Sequence, residues 1–150
     1  MRLILMRHAK SDWSTATGGD HGRPLNTRGK LASQALGTWM RHQNLEPDGI
    51  LCSTAQRTRD TLAGLNIQTA ADFQDRLYLA DAETLLRAIQ DATADTLLVI
   101  AHNPGIADLA HQLVQPPPGH PRFRDYPTGA TLVADLSPDD PIGTSKLHQF

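Results

Sequence analysis

The chain has 150 residues, with 14 Lys and Arg against 16 Asp and Glu, so its net charge is -2 with neutral histidines. This length favours one domain spanning residues 1–150. The near balance of charge excludes general binding of nucleic acids or anionic membranes as the main task. A lone cysteine, Cys52, excludes an internal disulfide, and no signal-peptide pattern precedes Arg7. We therefore expect a cytoplasmic protein.

The chain begins with the apolar run Leu3–Met6, which stops at Arg7 and His8. Such a run is typical of a strand buried on both faces of a parallel sheet. His8 then lies at the carboxyl end of the strand, where open α/β sheets bind ligands. A cation beside a histidine there is suited to hold an anion while the imidazole attacks it. The ordinary alternative is a solvated Arg-His pair.

A loop over this crevice is predicted for residues 11–23, and a helix capped by Asn26 or Thr27 follows it. We expect Asp12 and Asp20 in the loop to be turn residues rather than metal ligands. The helix is predicted to turn one apolar face inward. Its members are Leu31, Ala32, Ala35, Leu36, Trp39 and Met40.

A second buried strand is predicted at Ile50–Cys52, and Ser53–Gln56 has the capping-box pattern that starts a helix. Arg57 lies in the first turns of that helix, where the helix dipole already favours anions. Thr61 follows one turn later on the same face. A solvated helical charge is the alternative for Arg57.

The alternation of strands and helices continues in the second half of the chain. Residues 66–73 give weak signals for an edge strand, and Asp81 predicts the cap of a third helix. Residues 96–101 form the clearest buried strand, which ends at His102. Asn103 and Pro104 then predict the N-cap and first position of a fourth helix. Further strands are predicted at residues 131–136 and near residues 146–150.

Alternating strands and helices place three strand ends on one rim, and these carry Arg7 with His8, Ser53 with Arg57, and His102. Arginine forks and helix N-termini suit a tetrahedral dianion such as a phosphoryl group. A neutral imidazole could then attack phosphorus and form a phosphohistidine, which water hydrolyses. No cofactor is required, and the other histidines show no compact metal pattern, so no metal site is expected.

Four motifs in this order resemble those of the histidine phosphatase superfamily. They are Arg7-His8-Ala9, Arg23-Pro24-Leu25-Asn26, Ser53-x-x-x-Arg57-x-x-x-Thr61 and His102-Asn103-Pro104. The short length and the Arg-Pro-Leu element resemble its small SixA-type branch, the phosphohistidine phosphatases. The resemblance implies an α/β fold of the phosphoglycerate mutase-like type, a three-layer α/β/α sandwich with a mostly parallel central sheet.

Carried over to this chain, the resemblance makes His8 the phosphorylated nucleophile and Arg7 and Arg57 phosphate ligands. His102 would be the second imidazole, which binds phosphate and stabilises the transition state. Arg23 and Asn103 are further candidates for substrate contact. The chain departs from the superfamily in two respects: Ala9 stands where much of the superfamily has Gly, and the acid that many larger members supply has no clear counterpart.

The best-matching stretch for this acid reads Leu77-Tyr78-Leu79, with Asp81 and Glu83 just beyond. Each of these carboxylates is a possible general acid, with helix capping or a first-turn position as the alternative. Expelling an alkoxide needs a proton donor, because the parent acid has a pKa near ~16. Imidazole, whose conjugate acid has a pKa of roughly 6.5, leaves more easily.

We therefore expect a monomer or weak dimer that removes phosphate from phosphohistidine on a partner protein. One alternative is a phosphatase for a small phosphate ester or anhydride. The other is a non-catalytic module that binds phosphate or a phosphoprotein.

Overall fold

A computed structural model describes residues 1–14, 18–137 and 145–150, and it has the expected α/β architecture. The strands are Arg2–Arg7 (β1), Gly49–Ser53 (β2), Ala71–Gln74 (β3), Thr96–Ala101 (β4), Thr131–Asp135 (β5) and Lys146–Gln149 (β6). The helices are Thr27–His42 (α1), Gln56–Leu65 (α2), Ala82–Asp91 (α3) and Gly105–Leu113 (α4). Residues 15–17 of the expected crevice loop and residues 138–144 of the tail lie outside the described residues.

The strands form one sheet in the order β3-β2-β4-β1-β5-β6. The first four are parallel, and β5 and β6 are antiparallel to their neighbours. In the β1–β4 pair Arg7 lies opposite Ala101, so His8 and His102 leave the sheet side by side. Because β5 runs the other way, the loop that precedes it reaches the same rim.

The sheet separates two apolar layers, which gives the three-layer sandwich. Ile4 and Met6 of β1 pack with residues of α1 and α2, whereas Leu3 and Leu5 pack with residues of α3 and α4. Burial on both faces explains why β1 is an uninterrupted apolar run rather than an alternating one. Cys52 of β2 is fully buried in the first layer, and this burial raises the pKa of its thiol to about 12.

Two of the predicted helix caps are confirmed. The side chain of Asn26 accepts a hydrogen bond from Gly29 N at the start of α1, and that of Asp81 accepts one from Thr84 N at the start of α3. These bonds satisfy backbone N–H groups that have no partner inside the helix.

The other two predicted caps are wrong. Helix α2 follows Ala55 without a side-chain cap, because Ser53 is still part of β2 and its hydroxyl bonds a histidine. Helix α4 starts at Gly105, and the Asn103 amide donates instead to the carbonyls of Asp125 and Tyr126.

The predicted inward face of α1 is only partly correct: Leu36, Trp39 and Met40 pack into the core, but the other three positions do not. Leu31 is 61% exposed and Ala32 and Ala35 are exposed, whereas the buried positions are Gly29, Ser33, Gly37 and Met40. A Cβ at Gly37 would lie 2.3 Å from the carbonyl oxygen of Leu65, so the backbones of α1 and α2 approach too closely for larger side chains. Small residues therefore form much of this face, together with Met40.

Residues 1–14, 18–137 and 145–150 contain no helix that could cross a membrane. Their longest helix, α1, has 16 residues, and none of their helices combines the length and apolar character that crossing a bilayer requires.

Candidate active site

Two histidines and three arginines gather at the rim formed by the ends of β1, β2 and β4. His8, His102, Arg23 and Arg57 are buried, and Arg7 is partly buried. The ring centroids of His8 and His102 are 5.3 Å apart, with the rings tilted by 54°. The register of β1 with β4 produces this approach, because each histidine follows the last paired residue of its strand.

His8 is held as one tautomer. Its Nδ1 lies 2.7 Å from the carbonyl oxygen of Ala9, and a carbonyl can only accept, so Nδ1 carries the proton. The lone pair is therefore on Nε2. Burial lowers the pKa of His8 to about 4, and the charges of Arg57 and Arg7 add to this effect. The ring is consequently neutral near pH 7 and has the electron pair that a nucleophile needs.

The backbone around His8 is fixed from two sides. Thr61 of α2 donates its hydroxyl to the carbonyl of Arg57 and accepts a hydrogen bond of 3.0 Å from Ala9 N. On the other side, Gly129 N donates to the carbonyls of Arg7 and His8. Thr61 thus ties the first turns of α2 to the residue that follows β1, which gives a structural reason for its spacing from Arg57.

His102 is oriented by Ser53 at the end of β2. The His102 Nε2 to Ser53 Oγ distance is 2.8 Å, and Ser53 Oγ also accepts a hydrogen bond from Ala55 N. Burial, followed by the charge of Arg57, lowers the pKa of His102 to about 3. Both imidazoles are therefore neutral near pH 7, in a site whose positive charge comes from the arginines.

Several nitrogen atoms of the site are buried without a hydrogen-bond partner. Among the residues that the structure describes, these include Nε of Arg7, Nε of Arg57 and Nδ1 of His102. A buried, unbonded polar atom costs roughly 1–3 kcal/mol. This cost is acceptable where the site is arranged for a ligand that supplies the missing partner.

Asp20 enters this site, which sequence reasoning missed by treating it as a turn residue. Its carboxylate accepts hydrogen bonds from Arg57 Nη2 at 3.1 Å, from Arg23 and from the Tyr78 hydroxyl. The bond from Tyr78, together with those from the arginines, holds the pKa of this carboxyl well below its usual range. The spacing Asp20-x-x-Arg23 was the available signal, since it placed a carboxylate beside a predicted phosphate contact.

Tyr78 was also missed, although it lies in the stretch singled out for the family acid. Its ring meets that of His102 edge-on, with centroids 5.6 Å apart, and lies 5.8 Å from the Arg57 guanidinium. Burial and the neighbouring Asp20 carboxylate raise the pKa of its phenol. The phenol therefore stays protonated near pH 7 and is a hydrogen-bond donor.

The chain is similar to known proteins in both sequence and structure. The family model of the histidine phosphatase superfamily, branch 1, matches residues 3–81. An uncharacterized protein of Mycobacterium tuberculosis is 40% identical over 107 residues, which cover 70% of this chain and 67% of that one. The chain belongs to the histidine phosphatase superfamily.

Two further relatives support the SixA-type branch of this superfamily. The phosphohistidine phosphatase SixA of Escherichia coli is 27% identical over 121 residues, covering 75% of this chain and 74% of that one. A solved structure from Nakamurella multipartitia that carries the SixA name has a TM-score of 0.79 and 29% identity. It covers 99% of this chain and 93% of that one. The resemblance to the SixA-type branch is thereby confirmed, and the protein is a histidine phosphatase.

The two carboxylates considered as the acid of a histidine phosphatase have other partners here. Asp81 caps α3 through Thr84 N, and Glu83 pairs with Arg87 one turn along the same helix. Within the described part of the chain, neither is hydrogen-bonded or ion-paired to a site side chain. Asp20 and Tyr78, by contrast, contact site side chains from outside the family motifs.

Arg7 and Asn103 both contact the loop that precedes β5. Arg7 Nη1 donates to the carbonyl of Tyr126 at 3.0 Å, and the Asn103 amide donates to the same carbonyl. Both therefore hold the loop before β5 against the site. The described residues contain no group of three or more His, Cys, Asp or Glu side chains placed to hold a metal ion.

Proposed function

We propose that this histidine phosphatase removes the phosphoryl group from phosphohistidine on a partner protein, through a covalent intermediate on His8. One observation carries the proposal: a neutral imidazole, with its tautomer fixed by Ala9, lies among three arginines and opposite a second imidazole. Nucleophile and charge-neutralising groups are thus present together.

In the first step, Nε2 of His8 attacks phosphorus in line with the scissile bond. Arg7, Arg23 and Arg57 neutralise the negative charge that spreads over the equatorial oxygens. Such electrostatic stabilisation supplies most of the rate enhancement in phosphoryl transfer. His102, oriented by Ser53, stabilises the negative charge on the same oxygens. The P–N bond to the substrate breaks as the P–Nε2 bond forms. The substrate reacts with the other nitrogen of its phosphorylated ring protonated, so the electron pair of the broken P–N bond leaves with that ring as neutral imidazole.

In the second step, water attacks the phosphorus of phospho-His8. The P–Nε2 bond breaks, inorganic phosphate leaves, and the electron pair returns to Nε2 of His8. The Nδ1 proton of His8 stays on its bond to the Ala9 carbonyl throughout, so the ring is released in the tautomer in which it began.

The acid–base properties of the site favour a P–N bond over a sugar phosphate ester. The carboxylate in the site, Asp20, is held ionised by Tyr78 and the arginines, and so has no proton to give near pH 7. An alkoxide leaving group needs such a proton, since its parent acid has a pKa near ~16. Neutral imidazole leaves a protonated phosphohistidine ring without a proton from the enzyme.

The surface beside the crevice favours a protein substrate. Trp13 is 74% exposed and stacks on Arg23, with 3.6 Å from the guanidinium carbon to the ring centroid. Leu79, next to Tyr78, is 54% exposed. Exposed large apolar side chains beside a polar site are typical of surfaces that contact proteins. The relative from Escherichia coli is named as a phosphohistidine phosphatase.

A small phosphate ester or anhydride is the second candidate substrate. The Tyr78 phenol favours it, because this hydroxyl carries a proton beside His102 and could donate it to an oxygen leaving group. Hydrolysis rates on a histidine-phosphorylated carrier protein and on 4-nitrophenyl phosphate separate the two candidates. Turnover of the aryl phosphate with none of the phosphoprotein would replace our choice.

The intermediate is tested by rapid quench with a 32P-labelled histidine-phosphorylated protein. We expect a label on this protein that is stable to base and labile to acid, as phosphohistidine is. His8→Ala should abolish the label, and His102→Ala should slow its formation. His42→Ala, at the exposed end of α1, is the matched control and should label normally. A normal label on the His8→Ala variant would refute the proposed nucleophile.

A further inference from the structure

The loop residues 18–22, here named the Asp20 loop, interact with the site in a way that catalysis does not require. Arg57 donates from Nη1 to the Asp20 carbonyl at 2.7 Å and from Nη2 to the Asp20 carboxylate at 3.1 Å. Arg23 and the Tyr78 hydroxyl donate to the same carboxylate. One loop residue therefore occupies the donors of two arginines and a phenol.

The same loop occupies the N-terminus of α2. Gln56 N, the first backbone donor of the helix, bonds the carbonyl oxygen of His21 at 2.9 Å. Free N–H groups at a helix N-terminus, together with arginine forks, are the donors that hold phosphoryl oxygens in proteins. Oxygen atoms of the Asp20 loop thus lie where the oxygens of a bound phosphoryl group would be expected.

We propose that Asp20 is an internal anion, which occupies the phosphoryl site of the free enzyme and is displaced by the phosphoryl group of the substrate. This inference rests on the proposed function, since it concerns the same anion site. It makes Asp20 a residue that determines affinity and specificity, rather than a proton donor.

The charges of the site explain why an internal anion is useful. Arg23 and Arg57 converge with Arg7 in a buried site, where like charges repel strongly because little water screens them. Asp20 offsets part of this charge and keeps the guanidinium groups of Arg23 and Arg57 oriented. A single carboxylate leaves the three arginines in excess, so the site still attracts a dianion.

The position of Asp20 allows displacement. Its side chain is 42% exposed, so the carboxylate lies on the open side of the site while Arg57 lies beneath it. Gly18 and Gly19 precede it with φ of +108° and +67°, a region that L side chains rarely adopt. The residues before Asp20 thus have conformational freedom that a chain of larger residues would lack.

Displacement makes the site selective among anions. A phosphoryl dianion bonds several donors at once and carries more charge than the carboxylate that it replaces. A monoanion such as acetate offers no advantage over Asp20, and it cannot match the effective concentration of a group tethered to the same chain. We therefore expect acetate and chloride to compete poorly with phosphate.

The experiment is calorimetric titration of inorganic phosphate into the wild-type protein and into Asp20→Asn. An occupied site lowers the apparent affinity by the fraction of molecules that are open, so the variant should bind phosphate at least about tenfold more tightly. Asp12→Asn is the matched control, because Asp12 lies in the same crevice loop and its carboxylate accepts hydrogen bonds from Ser14 N and Ser14 Oγ. Its affinity should equal that of the wild type.

Unchanged or weaker binding of phosphate by Asp20→Asn would overturn the inference, because Asp20 would then only orient the arginines. The label on His8 would still form in that case, so the proposed function would survive. Carboxyl 13C NMR of the wild-type protein gives an independent test that needs no variant. Saturating phosphate should shift the Asp20 resonance and leave that of Asp12 unmoved, and an unmoved Asp20 resonance would also overturn the inference.

Discussion

Burial keeps His8 and His102 neutral at a pH at which an exposed histidine is partly protonated. The cause is the loss of water around each ring, with the nearby guanidinium charges acting in the same direction. A nucleophile next to a phosphate would otherwise gain a proton, because a neighbouring anion favours the charged imidazole. Three arginines in the same site remove that tendency before the substrate binds.

The rate should therefore fall on the acid side of its pH profile only at low pH. His8 loses its nucleophilic electron pair only when Nε2 is protonated, which occurs below its pKa of about 4. We expect the rate of phosphoenzyme formation to persist well below the ordinary histidine pKa of roughly 6.5. Rapid-quench rates over a pH series measure this, with substrate ionisation titrated separately. A limb centred at the ordinary value would show that His8 is not desolvated.

A second prediction at this scale concerns Ser53, which orients His102 through a hydrogen bond of 2.8 Å. Ser53→Ala should lower kcat about tenfold, the effect of one lost hydrogen bond in the transition state. Phosphate affinity should change less, because the arginines remain. Ser33→Ala, which removes a buried hydroxyl that donates to the Lys30 carbonyl within α1, is the control and should retain kcat. Equal losses in the two variants would contradict a role for Ser53 in orienting His102.

At the scale of the elements, the packing of α1 against α2 sets how closely α2 approaches β1. Arg57 lies on α2 and is positioned with it. Gly29, Ser33 and Gly37 recur every four residues along α1 and form its buried face. A Cβ at Gly29 would lie 2.0 Å from the Lys10 carbonyl oxygen, so the start of α1 also touches the chain just beyond His8. Small side chains at this interface are therefore part of how the site is positioned.

Gly37→Ala should destabilise the protein by about 1–3 kcal/mol, the usual cost of forcing extra atoms into a packed interface. The added Cβ meets backbone at Leu65, which cannot move aside as a flexible side chain would. Gly119→Ala meets nothing within 4 Å and is the control. Urea denaturation of both variants measures the difference, and equal stability would mean that the helices can separate without cost.

These elements also show what the sequence could predict. Uninterrupted apolar runs were sufficient to predict β1 and β4, because helices cover both faces of these central strands. Apolar periodicity found only Leu36, Trp39 and Met40 on the inward face of α1. It missed the small residues of this face, because close backbone approach selects for size rather than hydrophobicity. Asp20 and Tyr78 were missed for another reason: both come from segments without periodicity, and only the fold brings them to Arg57.

For the molecule as a whole, the lowered histidine pKa values reduce stability in acid. In the unfolded chain both rings have a pKa of roughly 6.5, so between that pH and about 4 the unfolded state binds more protons than the folded state. Stability is therefore highest above the unfolded value and falls as the pH is lowered through this window. Asp20 stays ionised throughout it and does not offset the loss.

Urea denaturation at about pH 7 and about pH 5 should show a loss of roughly 2 kcal/mol for each of the two histidines. A variant with His8→Gln and His102→Gln should lose much less stability over the same interval. His42→Gln, which removes an exposed histidine, should behave as the wild type does. A double variant that is as sensitive to acid as the wild type would assign the pH dependence to other groups.

The position of Cys52 has a consequence for oxidative conditions. Enzymes that hydrolyse phosphate with a catalytic thiolate lose activity when peroxide converts that sulfur to a sulfenic acid. Here the nucleophile is a nitrogen. The lone sulfhydryl of the chain, on Cys52 of β2, is buried and has a pKa of about 12, so almost no thiolate exists to react. We expect millimolar hydrogen peroxide and iodoacetamide to leave turnover intact in the native protein. Mass spectrometry should find Cys52 carbamidomethylated only after denaturation, which would make this a phosphatase whose activity is indifferent to the redox state of its surroundings.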